Sequence, residues 1–532
     1  MKRRTFLAAG TALAAAGAGA AAGTAGPQVG AGMDSFELAE VSAAGIQQRI
    51  AQGDSALAIA QRYLARIAAV DQAGPALRSV IEINPQALEI AAQCDADRRA
   101  GRPRGPLHGV PVLIKDNIAT ADAMQTTAGS LALVGGRAPR DAFVVQRLRA
   151  AGAVVLGKTN LSEWANFRGQ RSISGWSARG GQTRNPYALD RSPSGSSSGS
   201  AAALAANLGA LGVGTETDGS ITSPSAVNGL VGVKPTLGLV SRDGIVPIAF
   251  SQDTAGPMCR TVADAALLLA AMAGVDARDA ATARQKGRID VSSLQVLRAD
   301  ALRGVRIGVA RNLAGYHRRT DVLFDAALLA LRDAGAVLVD PAPLPNVDKY
   351  RDSELEVLLY ELGPAMAAYL REFAPNLPYR TLGDLIAFNR AHAADELALF
   401  GQEWFEQANA KGPLTDAAYR KALATGHRYA RTYGIDAVLR QHRLAAIVAP
   451  TSGPAWLIDP INGDASGDSA TSPAAVAGYP HVTVPMGQVS GLPVGLSFIG
   501  TAWSDVQLLQ FAYAFEQATK LRRAPTFALS AG

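Results

Sequence analysis

The sequence predicts an α/β protein built around a largely parallel or mixed β-sheet. Short apolar runs typical of buried strands alternate along the chain with longer segments in which apolar residues recur at helical spacing. The chain has 532 residues, 48% of them hydrophobic, so it can bury a large core. It contains no evident heptad or solenoid repeat. Strands that alternate with helices are typical of α/β domains, which is therefore the fold class that we expect.

The individual elements can be predicted in chain order. We expect helices where apolar residues recur three and four positions apart, and buried strands where a short apolar run is bounded by turn residues. The predicted helices cover residues 46–70, 85–100 and 141–151. The predicted strands are residues 110–114, residues 153–156, VRIGVA from Val305 and AAIVA from Ala445.

The stretch from about residue 278 to 441 differs from the rest of the chain. It is charged, rich in arginine and mostly helical in pattern, and it holds few of the turn-rich segments that carry catalytic residues. We interpret it as a variable elaboration around the core that shapes the substrate cleft. Residues 33–532 as a whole are predicted to form a single domain.

The first residues have the pattern of an export signal. Lys2, Arg3 and Arg4 precede a weakly apolar run, rich in alanine and glycine, that reaches about Gly26. The order RRTFL resembles the twin-arginine type of signal. A membrane anchor is the alternative, but the run is too rich in glycine for a stable spanning helix. We predict that residues 1–32 are removed and that the mature protein is exported to the periplasm, without stable membrane insertion.

Charge and cysteine content exclude several classes of protein. The net charge of +6 is small for this length, and the three basic N-terminal residues account for half of it. The chain has no basic stripe suited to nucleic acid, so we expect no nucleic-acid partner. Cys94 and Cys259 are too few for a disulfide framework or a zinc cluster. The sequence does not decide whether they pair, and two buried free thiols are the default.

Two turns rich in small residues flank a helix-length segment between residues 193 and 236. In the first turn Gly195 and Gly199 bracket three serines, and in the second Gly219 precedes Ser220. Glycines let the backbone bend sharply and approach other groups closely. A flexible linker is the alternative, but the intervening AAALAANL and LGVGT have the composition of a packed core. The region therefore favours a serine nucleophile with amide donors around it.

Residues 152–159, GAVVLGKT, match the G-x-x-x-x-G-K-[ST] pattern of a phosphate-binding loop. In such a loop a strand comes first, and the four intervening residues wrap the phosphates. Here the intervening AVVL is itself a predicted strand, and a predicted helix precedes it. The pattern therefore disfavours nucleotide binding at Lys158.

The segment GSSSG, residues 195–199, matches the G-x-S-x-G elbow of α/β-hydrolases with Ser197 as the nucleophile. Such an enzyme needs a downstream histidine base, for which His427, His442 and His481 are the candidates. None of the three lies in a segment with the pattern of a catalytic loop and an acid before it. A run of serines between glycines also fits the pattern by composition alone, so this match is weak.

Lys115 ends the apolar strand GVPVLIKDN in a chain that has only nine lysines. A lysine carried to the end of a buried strand is partly desolvated, which lowers its pKa and leaves part of it neutral. A neutral lysine can accept a proton and act as the general base for a serine. A strand-end salt bridge with Asp116 explains this lysine equally well.

A series of motifs resembles the amidase signature family. In chain order they are GVPVLIKDN, GKTNLSEWA, GSSSGSAAALAANL, GTETDGSITSP, GLVGVKPT and SQDTAGPMCRTVADA, followed by the C-terminal AGYPHVTVPMGQVSGLPVGLSFIG. The match covers residues 36–273 and 443–520, and so many ordered blocks are specific. The resemblance implies the amidase signature fold, a central mixed β-sheet covered by helices on both faces. It also implies an amide hydrolase that needs no metal and no cofactor.

The resemblance implies a Ser-Ser-Lys catalytic triad. Ser220 matches the nucleophile, Ser196 the bridging serine and Lys115 the lysine base, and the 24 positions between the two serines are the family's own spacing. In this arrangement Ser220 attacks the amide carbonyl while Ser196 passes the proton towards Lys115. The proton then returns so that ammonia leaves, and water repeats the sequence.

The resemblance also implies details around the triad. The developing oxyanion is expected against the backbone amides of Thr217, Asp218, Gly219 and Ser220. The peptide bond between Gly195 and Ser196 is expected to be cis. Four more residues lie in matching motifs and are expected to support the turns without a chemical role: Ser197, Glu163, Asn117 and Ser130.

Departures from the common family pattern narrow the range of substrates that we expect. Many members place an arginine two or three residues after the nucleophile, where it binds anionic substrates, whereas this chain has Thr222 and Ser223. Asp218 either adds a carboxylate beside the cleft or points away and caps a turn. The segments GWSARGGQTRNPY and TETDGS resemble the members that remove the amide group from peptide C-termini. We therefore expect an enzyme that acts on peptide amides, with small aromatic or aliphatic amides as the alternative substrates. We also expect a monomer.

Overall fold

The structure is a computed structural model that describes residues 36–465 and 467–531. The predicted export signal, residues 1–32, lies outside the described residues. Within the part of the chain that is described, no helix combines the length and the apolar character that crossing a membrane requires.

A mixed sheet of eleven strands forms the centre of the described chain, and two further strands pair separately. The strands are β1 (Val80–Ile83), β2 (Pro111–Lys115), β3 (Val154–Thr159), β4 (Trp176–Ser177), β5 (Gly181–Gln182), β6 (Leu211–Glu216), β7 (Val231–Lys234), β8 (Thr254–Cys259), β9 (Arg306–Val309), β10 (Val337–Val339), β11 (Ala446–Pro450), β12 (His481–Val489) and β13 (Leu492–Ile499). The separate pair consists of β4 and β5.

Helices precede, separate and follow these strands along the chain. The α-helices are α1 (Ala43–Ala51), α2 (Ala56–Arg66), α3 (Ala87–Arg99), α4 (Phe143–Ala150), α5 (Ser198–Ala205), α6 (Thr222–Val227), α7 (Val262–Met272), α8 (Arg318–Asp333), α9 (Arg351–Phe373), α10 (Leu382–Ala391), α11 (Ala393–Glu396), α12 (Glu403–Asn409), α13 (Ala417–His427), α14 (Asp436–His442), α15 (Ser472–Ala477) and α16 (Asp505–Thr519). Wider π-helical turns follow α2 at Ile67–Gln72 and α13 at Arg428–Ile435.

The order of strands in the large sheet is β1-β3-β2-β6-β8-β7-β12-β13-β11-β9-β10. Strand β2 runs parallel to β3 and β6, and β9 runs parallel to β10 and β11. The remaining neighbours in this sheet are antiparallel. The predicted α/β class with a mixed sheet is therefore confirmed.

Most predicted elements occur within a few residues of their expected bounds. Predicted strands 110–114 and 153–156 correspond to β2 and β3, and the runs from Val305 and Ala445 contain β9 and β11. The predicted helical stretch 46–70 is instead two α-helices, because the chain turns at Gly53, which has a φ of +117°. Ser55 then caps α2 by accepting a hydrogen bond from the Ala58 N–H at 3.0 Å.

The region 278–441 is mostly helical, but it also contributes to the central sheet. Strands β9 and β10 lie in it and form one end of the eleven-stranded sheet. Its longest helix, α9, packs against α12 and α13. The region is therefore continuous with the core as well as an elaboration around it.

The two strands that carry the predicted site are neighbours. Parallel strands β2 and β6 are paired so that Ile114 lies beside Val213. Their carboxyl ends consequently meet at the same edge of the sheet, where turns lead into α5 and α6. Helix α5 consists of serine, glycine, alanine and leucine, and all of its residues are buried. Small side chains let this helix lie close to the sheet.

Candidate active site

Lys115 is the last residue of β2 and is fully buried. Its Nζ donates hydrogen bonds to Ser196 Oγ at 2.7 Å and to Thr215 Oγ1 at 2.9 Å. A third contact joins Nζ to the Thr215 carbonyl oxygen at 3.3 Å. Asp116 is not among the partners of this lysine, because its carboxylate accepts from Thr127 and lies 3.5 Å from the Arg179 guanidinium. The alternative of a Lys115–Asp116 salt bridge is therefore wrong.

Burial changes the protonation of Lys115. Removal from water lowers the pKa of this lysine to about 7, although the negative charges of Asp253 and Glu216 act in the opposite direction. Near neutral pH a large fraction of the lysine is therefore unprotonated. In that form Nζ has a lone pair that can accept the Ser196 proton across the 2.7 Å hydrogen bond.

The turn before α5 places Ser196 beside this lysine. The Gly195–Ser196 peptide bond is cis, as expected. Ser196 is fully buried, and its carbonyl oxygen accepts a hydrogen bond from the Ser162 N–H at 3.1 Å. A side chain at Gly195 would collide with the Ser162 hydroxyl, which explains the requirement for glycine in this turn.

The turn between β6 and α6 presents Ser220. Gly219 has a φ of +77°, a conformation that glycine adopts without strain. The buried Glu216 carboxylate accepts hydrogen bonds from the N–H groups of Ile221 at 2.7 Å and Thr222 at 2.9 Å, which fixes the turn from behind. The N–H groups of Asp218, Gly219 and Ser220 donate to no acceptor in residues 36–465 and 467–531. Such free amides in a fixed turn can stabilise a developing negative charge.

The structure links the two serine turns through the backbone. The Ser197 N–H donates to the Ser220 carbonyl oxygen at 3.1 Å. Among the described residues, the Ser196 hydroxyl is bonded to Lys115, whereas the Ser220 hydroxyl has no hydrogen-bond partner. The lysine-to-serine half of the predicted relay is thus hydrogen-bonded, and the serine-to-serine half is not. Hydrogen bonds of catalytic groups commonly tighten only when substrate is bound.

Ser197 does not fit the role of a hydrolase nucleophile. Its hydroxyl donates to the Thr215 carbonyl oxygen at 3.0 Å and accepts from the Thr215 N–H at 3.2 Å, so it is committed to the backbone of β6. No described histidine is bonded to it. His481 contacts Ser497 at 2.6 Å, and burial lowers the pKa of this histidine to about 3. The Ser-His-Asp alternative is therefore wrong.

Residues 152–159 do not form a phosphate-binding loop. Val154 to Thr159 are strand β3, and Lys158 is fully buried. Lys158 Nζ donates to the Ile118 carbonyl oxygen at 2.5 Å and to Thr126 Oγ1 at 2.8 Å. The side chain is consequently occupied within the fold, which agrees with the expectation against nucleotide binding.

The four expected supporting residues act in two places. Asn117 donates to Thr215 Oγ1 at 2.9 Å, so it and Ser197 both hold the strand that leads to the Ser220 turn. Glu163 instead pairs with buried Arg168, which also contacts the Glu396 carboxylate at 3.4 Å, and the Ser130 hydroxyl donates to Glu396 at 2.9 Å. The last two therefore fasten the helical region to the core and do not contact the serine turns.

Three contributors were not singled out from the sequence, namely Thr215, Glu216 and Asp253. Thr215 and Glu216 lie in the motif GTETDGS, and their position at the end of a strand was the available signal. Asp253 accepts a hydrogen bond from Thr217 Oγ1 at 2.6 Å and from the Ile248 and Ala249 N–H groups, both at 2.9 Å. It comes from a separate segment of the chain, so only the folded structure identifies it.

A cavity of about 180 Å³ adjoins both serine turns. Gly195 and Gly219 contribute to its wall, as does Asp218, whose Oδ2 accepts from Ser472 Oγ at 2.5 Å. Asp218 therefore lies beside the cleft. Among the described residues no group of three or more histidine, cysteine, aspartate or glutamate side chains is placed to hold a metal ion. Cys94 and Cys259 are buried and unpaired, as the default predicted.

Comparisons with known proteins identify the family of this chain. A sequence model of the family described as Amidase matches residues 58–509. A probable amidase of Arabidopsis thaliana is 41% identical over 488 residues, which are 90% of this chain and 90% of that protein. A putative amidase of Arthroderma benhamiae is 37% identical over 489 residues, which are 88% of this chain and 79% of that protein.

Solved structures extend the comparison to the fold. The native peptide amidase of Stenotrophomonas maltophilia superimposes with a TM-score of 0.88 at 55% identity, covering 92% of this chain and 99% of that one. An amidase family protein of Bacillus anthracis gives a TM-score of 0.83 at 36% identity, covering 92% and 93%. The predicted family and its fold are thereby confirmed. This chain belongs to the amidase signature family and is an amidase, a hydrolase of amide bonds.

Proposed function

We propose that this amidase hydrolyses the C-terminal amide of peptides to a carboxylate and ammonia through an acyl-enzyme on Ser220. The observation that carries the chemical part is the 2.7 Å hydrogen bond between Lys115 Nζ and Ser196 Oγ. The lysine is fully buried, and its pKa is lowered to about 7. A base that is partly neutral at the working pH is what deprotonation of a serine relay requires.

In the proposed mechanism, Ser220 Oγ attacks the carbonyl carbon of the amide. Its proton passes to Ser196 Oγ, while the Ser196 proton passes to neutral Lys115 Nζ. The carbonyl oxygen becomes an oxyanion that accepts hydrogen bonds from the amides of the Thr217–Ser220 turn. The same path then returns a proton to the amide nitrogen, the C–N bond breaks, and ammonia leaves. Water attacks the acyl-Ser220 ester by the same relay and releases the acid.

The peptide part of the proposal is supported by the 55% identity to a peptide amidase over 92% of the chain. It is also supported by the size of the cleft. Gly467 and Ser469 line both the cavity at the serine turns and a larger one of about 650 Å³. This space suits several residues of a peptide on the acyl side of the scissile amide.

The test follows ammonia release from three sets of substrates: peptide amides, free amino-acid amides and simple aromatic or aliphatic amides. We expect the parent protein to prefer peptide amides. The Ser220→Ala variant should lose activity by about three orders of magnitude or more, because no hydroxyl remains to form the acyl-enzyme. The matched control is Ser223→Ala, which removes a nearby hydroxyl that also lines the cleft but has no role in the relay.

Two outcomes would overturn parts of the proposal. Full activity in Ser220→Ala would contradict the assignment of the nucleophile. Release of ammonia from small amides but never from peptide amides would contradict the peptide substrate and favour small aromatic or aliphatic amides.

Two further expectations stand as proposals. Export through the signal at residues 1–32 predicts a shortened protein in the periplasmic fraction, and an intact N-terminus in the cytoplasm would contradict it. A monomeric state predicts a single species near the mass of one chain in light scattering at micromolar concentration, and a stable dimer would contradict it.

A further inference from the structure

The cleft beyond the nucleophile has an excess of carboxyl groups. The charged residues lining the cavity of about 650 Å³ are Asp348, Glu354 and Asp468, with Arg351 as the basic one. The smaller cavity at the serine turns has carboxylates and no basic residue in its described wall. The chain as a whole carries a net charge of +6, so the cleft has the opposite sign to the molecule. Such a field favours a positively charged ligand.

Two of these carboxyl groups lie close together where the two cavities meet. Glu354, on α9, accepts a hydrogen bond from Gln252 Nε2 at 2.8 Å. Burial, and next the negative charge of Asp218, raise the pKa of Glu354 well above its usual range. Asp218 Oδ1 is buried and has no hydrogen-bond partner among the described residues. Since Ser472 lines the larger cavity and binds Asp218 Oδ2, the pair lies at the wall between the two spaces.

A buried tyrosine completes this group. Tyr350 lines the larger cavity and is 1% exposed, yet its hydroxyl has no partner within residues 36–465 and 467–531. Burial, followed by the charges of Glu354 and Asp218, raises the pKa of this tyrosine. Tyr350 precedes Glu354 by one helical turn, its carbonyl oxygen accepts from the Glu354 N–H at 2.7 Å, and both residues line the same cavity. A buried polar group without a partner is costly, so an unmet hydrogen bond here indicates a place for a ligand.

We propose that Glu354, Asp218 and Tyr350 form a subsite for a primary ammonium group on the substrate. An ammonium has three N–H donors, and this group offers two carboxyl oxygens and a hydroxyl oxygen as acceptors. Glu354 ionises when the cation arrives, because the positive charge stabilises its carboxylate.

The inference rests on the proposed function and gives it a substrate class. Ammonia is the only leaving group of a primary amide, so the ammonium must lie on the acyl side. It belongs either to a lysine side chain or to the N-terminal amine of a short peptide amide.

The experiment measures kcat/KM for ammonia release from two matched pairs of peptide amides. One pair has lysine or norleucine at the residue that carries the amide, and the other has a free or an acetylated N-terminus. The parent should favour the charged member of one pair by about 10- to 100-fold, the range expected for hydrogen bonds to a charged group. The pair that shows the preference identifies the source of the ammonium.

The decisive variant is Glu354→Gln, which keeps the size of the side chain and an acceptor for Gln252 but removes the charge. The preference should fall towards one through a higher KM for the charged substrate, while the neutral substrate is hydrolysed as before. The matched control is Glu356→Gln on the same helix, where the carboxylate pairs with Lys411 at 2.7 Å, away from both cavities. This control should keep the full preference.

Equal rates for both members of both pairs in the parent would overturn the subsite. A preference that survives in Glu354→Gln would overturn it as well, because the charge would then be recognised elsewhere.

A binding measurement separates this inference from the proposed function. Titration calorimetry with the Ser220→Ala protein reads the affinity for the same peptides without turnover. Tighter binding of the ammonium peptide that Glu354→Gln removes would support the subsite even if the parent releases no ammonia. Hydrolysis of peptide amides with no difference in affinity would support the function and reject the subsite.

Discussion

Lys115 and Lys158 are two buried lysines on neighbouring strands. Both are fully buried, and burial lowers the pKa of each, to about 7 for Lys115 and about 8 for Lys158. In the parallel pairing of β2 with β3, Lys158 lies beside Ile114 and not beside Lys115. Since side chains alternate along a strand, this offset of one residue sends the two lysines to opposite faces of the sheet.

The partners on those two faces differ in chemistry. Lys115 meets the hydroxyl of Ser196, which can give up a proton, whereas Lys158 meets the carbonyl of Ile118 and the hydroxyl of Thr126. The charge of Asp116 also lies near Lys158 and favours its protonated form. Burial and a lowered pKa are therefore common to both lysines, and the neighbouring serine turn distinguishes the proposed base.

The largest expected effect comes from Lys115→Met, which keeps the length of the side chain and removes the base. We expect kcat for a neutral peptide amide to fall by about 10²- to 10⁴-fold, the usual contribution of a general base. Steady-state kinetics check this, and circular dichroism confirms that the variant is folded. A folded variant with parental kcat would reject Lys115 as the base.

The matching change on the other face, Lys158→Met, should affect stability and not chemistry. It leaves the buried Ile118 carbonyl and Thr126 hydroxyl without their hydrogen-bond donor, so we expect the free energy of unfolding to fall by about 1–3 kcal/mol. Urea denaturation measures this, and kcat of the folded protein should stay close to that of the parent. A large loss of kcat with unchanged stability would reverse the roles that we assign to the two lysines.

The pH dependence of the rate should report Lys115 and not Lys158, whereas the pH dependence of stability should report both lysines. Because the neutral lysine is the active form, kcat/KM for an uncharged substrate should rise about tenfold per pH unit below pH 7 and level off above it. The folded protein binds fewer protons than the unfolded chain between pH 7 and the ordinary lysine value of 10.5, so stability should rise with pH in that window. The rising part of the kcat/KM profile of Lys158→Met should lie at the same pH as in the parent. A shift of that part in this variant would contradict the assignment of Lys115 as the base.

The smallest effect is expected for Thr215→Val, which removes one acceptor from Lys115 but keeps the Thr215 carbonyl. Loss of a hydrogen bond of about 1 kcal/mol should reduce kcat about fivefold. The pH limb should shift below that of the parent, because the lost acceptor stabilised the charged lysine. A shift to higher pH would show that Thr215 mainly favours the neutral form.

Much of the candidate site could be predicted from the sequence, because short local patterns mark its residues. An apolar run that ends in lysine indicates a desolvated amine, and β2 has this form. The glycine turns around Ser196 and Ser220 also stand out locally. The cis bond before Ser196, which the family resemblance implied, is confirmed. The rejection of GAVVLGKT as a phosphate loop depended on its strand character and on the predicted helix before it, and α4 and β3 agree.

Other parts of the site depend on contacts between distant segments. Ser197 and Ser196 are adjacent in a run of serines, and composition cannot tell which hydroxyl meets a base. The choice follows from the neighbours: Thr215 occupies Ser197, and Lys115 reaches Ser196. Glu354 and Tyr350 come from a region with no catalytic pattern in its sequence, and they were found only through the cavity that they line.

The fold, like the site, could be predicted from the sequence only in part. Apolar periodicity located β2, β3, β9 and β11, but it missed the short strand β10 within the helical region. Periodicity also ran continuously through residues 46–70, where a turn at Gly53 separates two helices. The spacing of apolar residues indicates which face of a segment is buried, but it does not indicate where the segment is interrupted.

The sequence by itself determined the family, the mixed α/β fold, the buried lysine and the two serine turns, because each depends on residues close together in the chain. The family resemblance named Lys115 and Ser196, but only the tertiary structure showed that the two are hydrogen-bonded, that Lys158 lies on the other face of the sheet, and which carboxyl groups face the cleft. The physical reason is register: the pairing of β2 with β3 and β6 sets the face of the sheet on which each side chain lies.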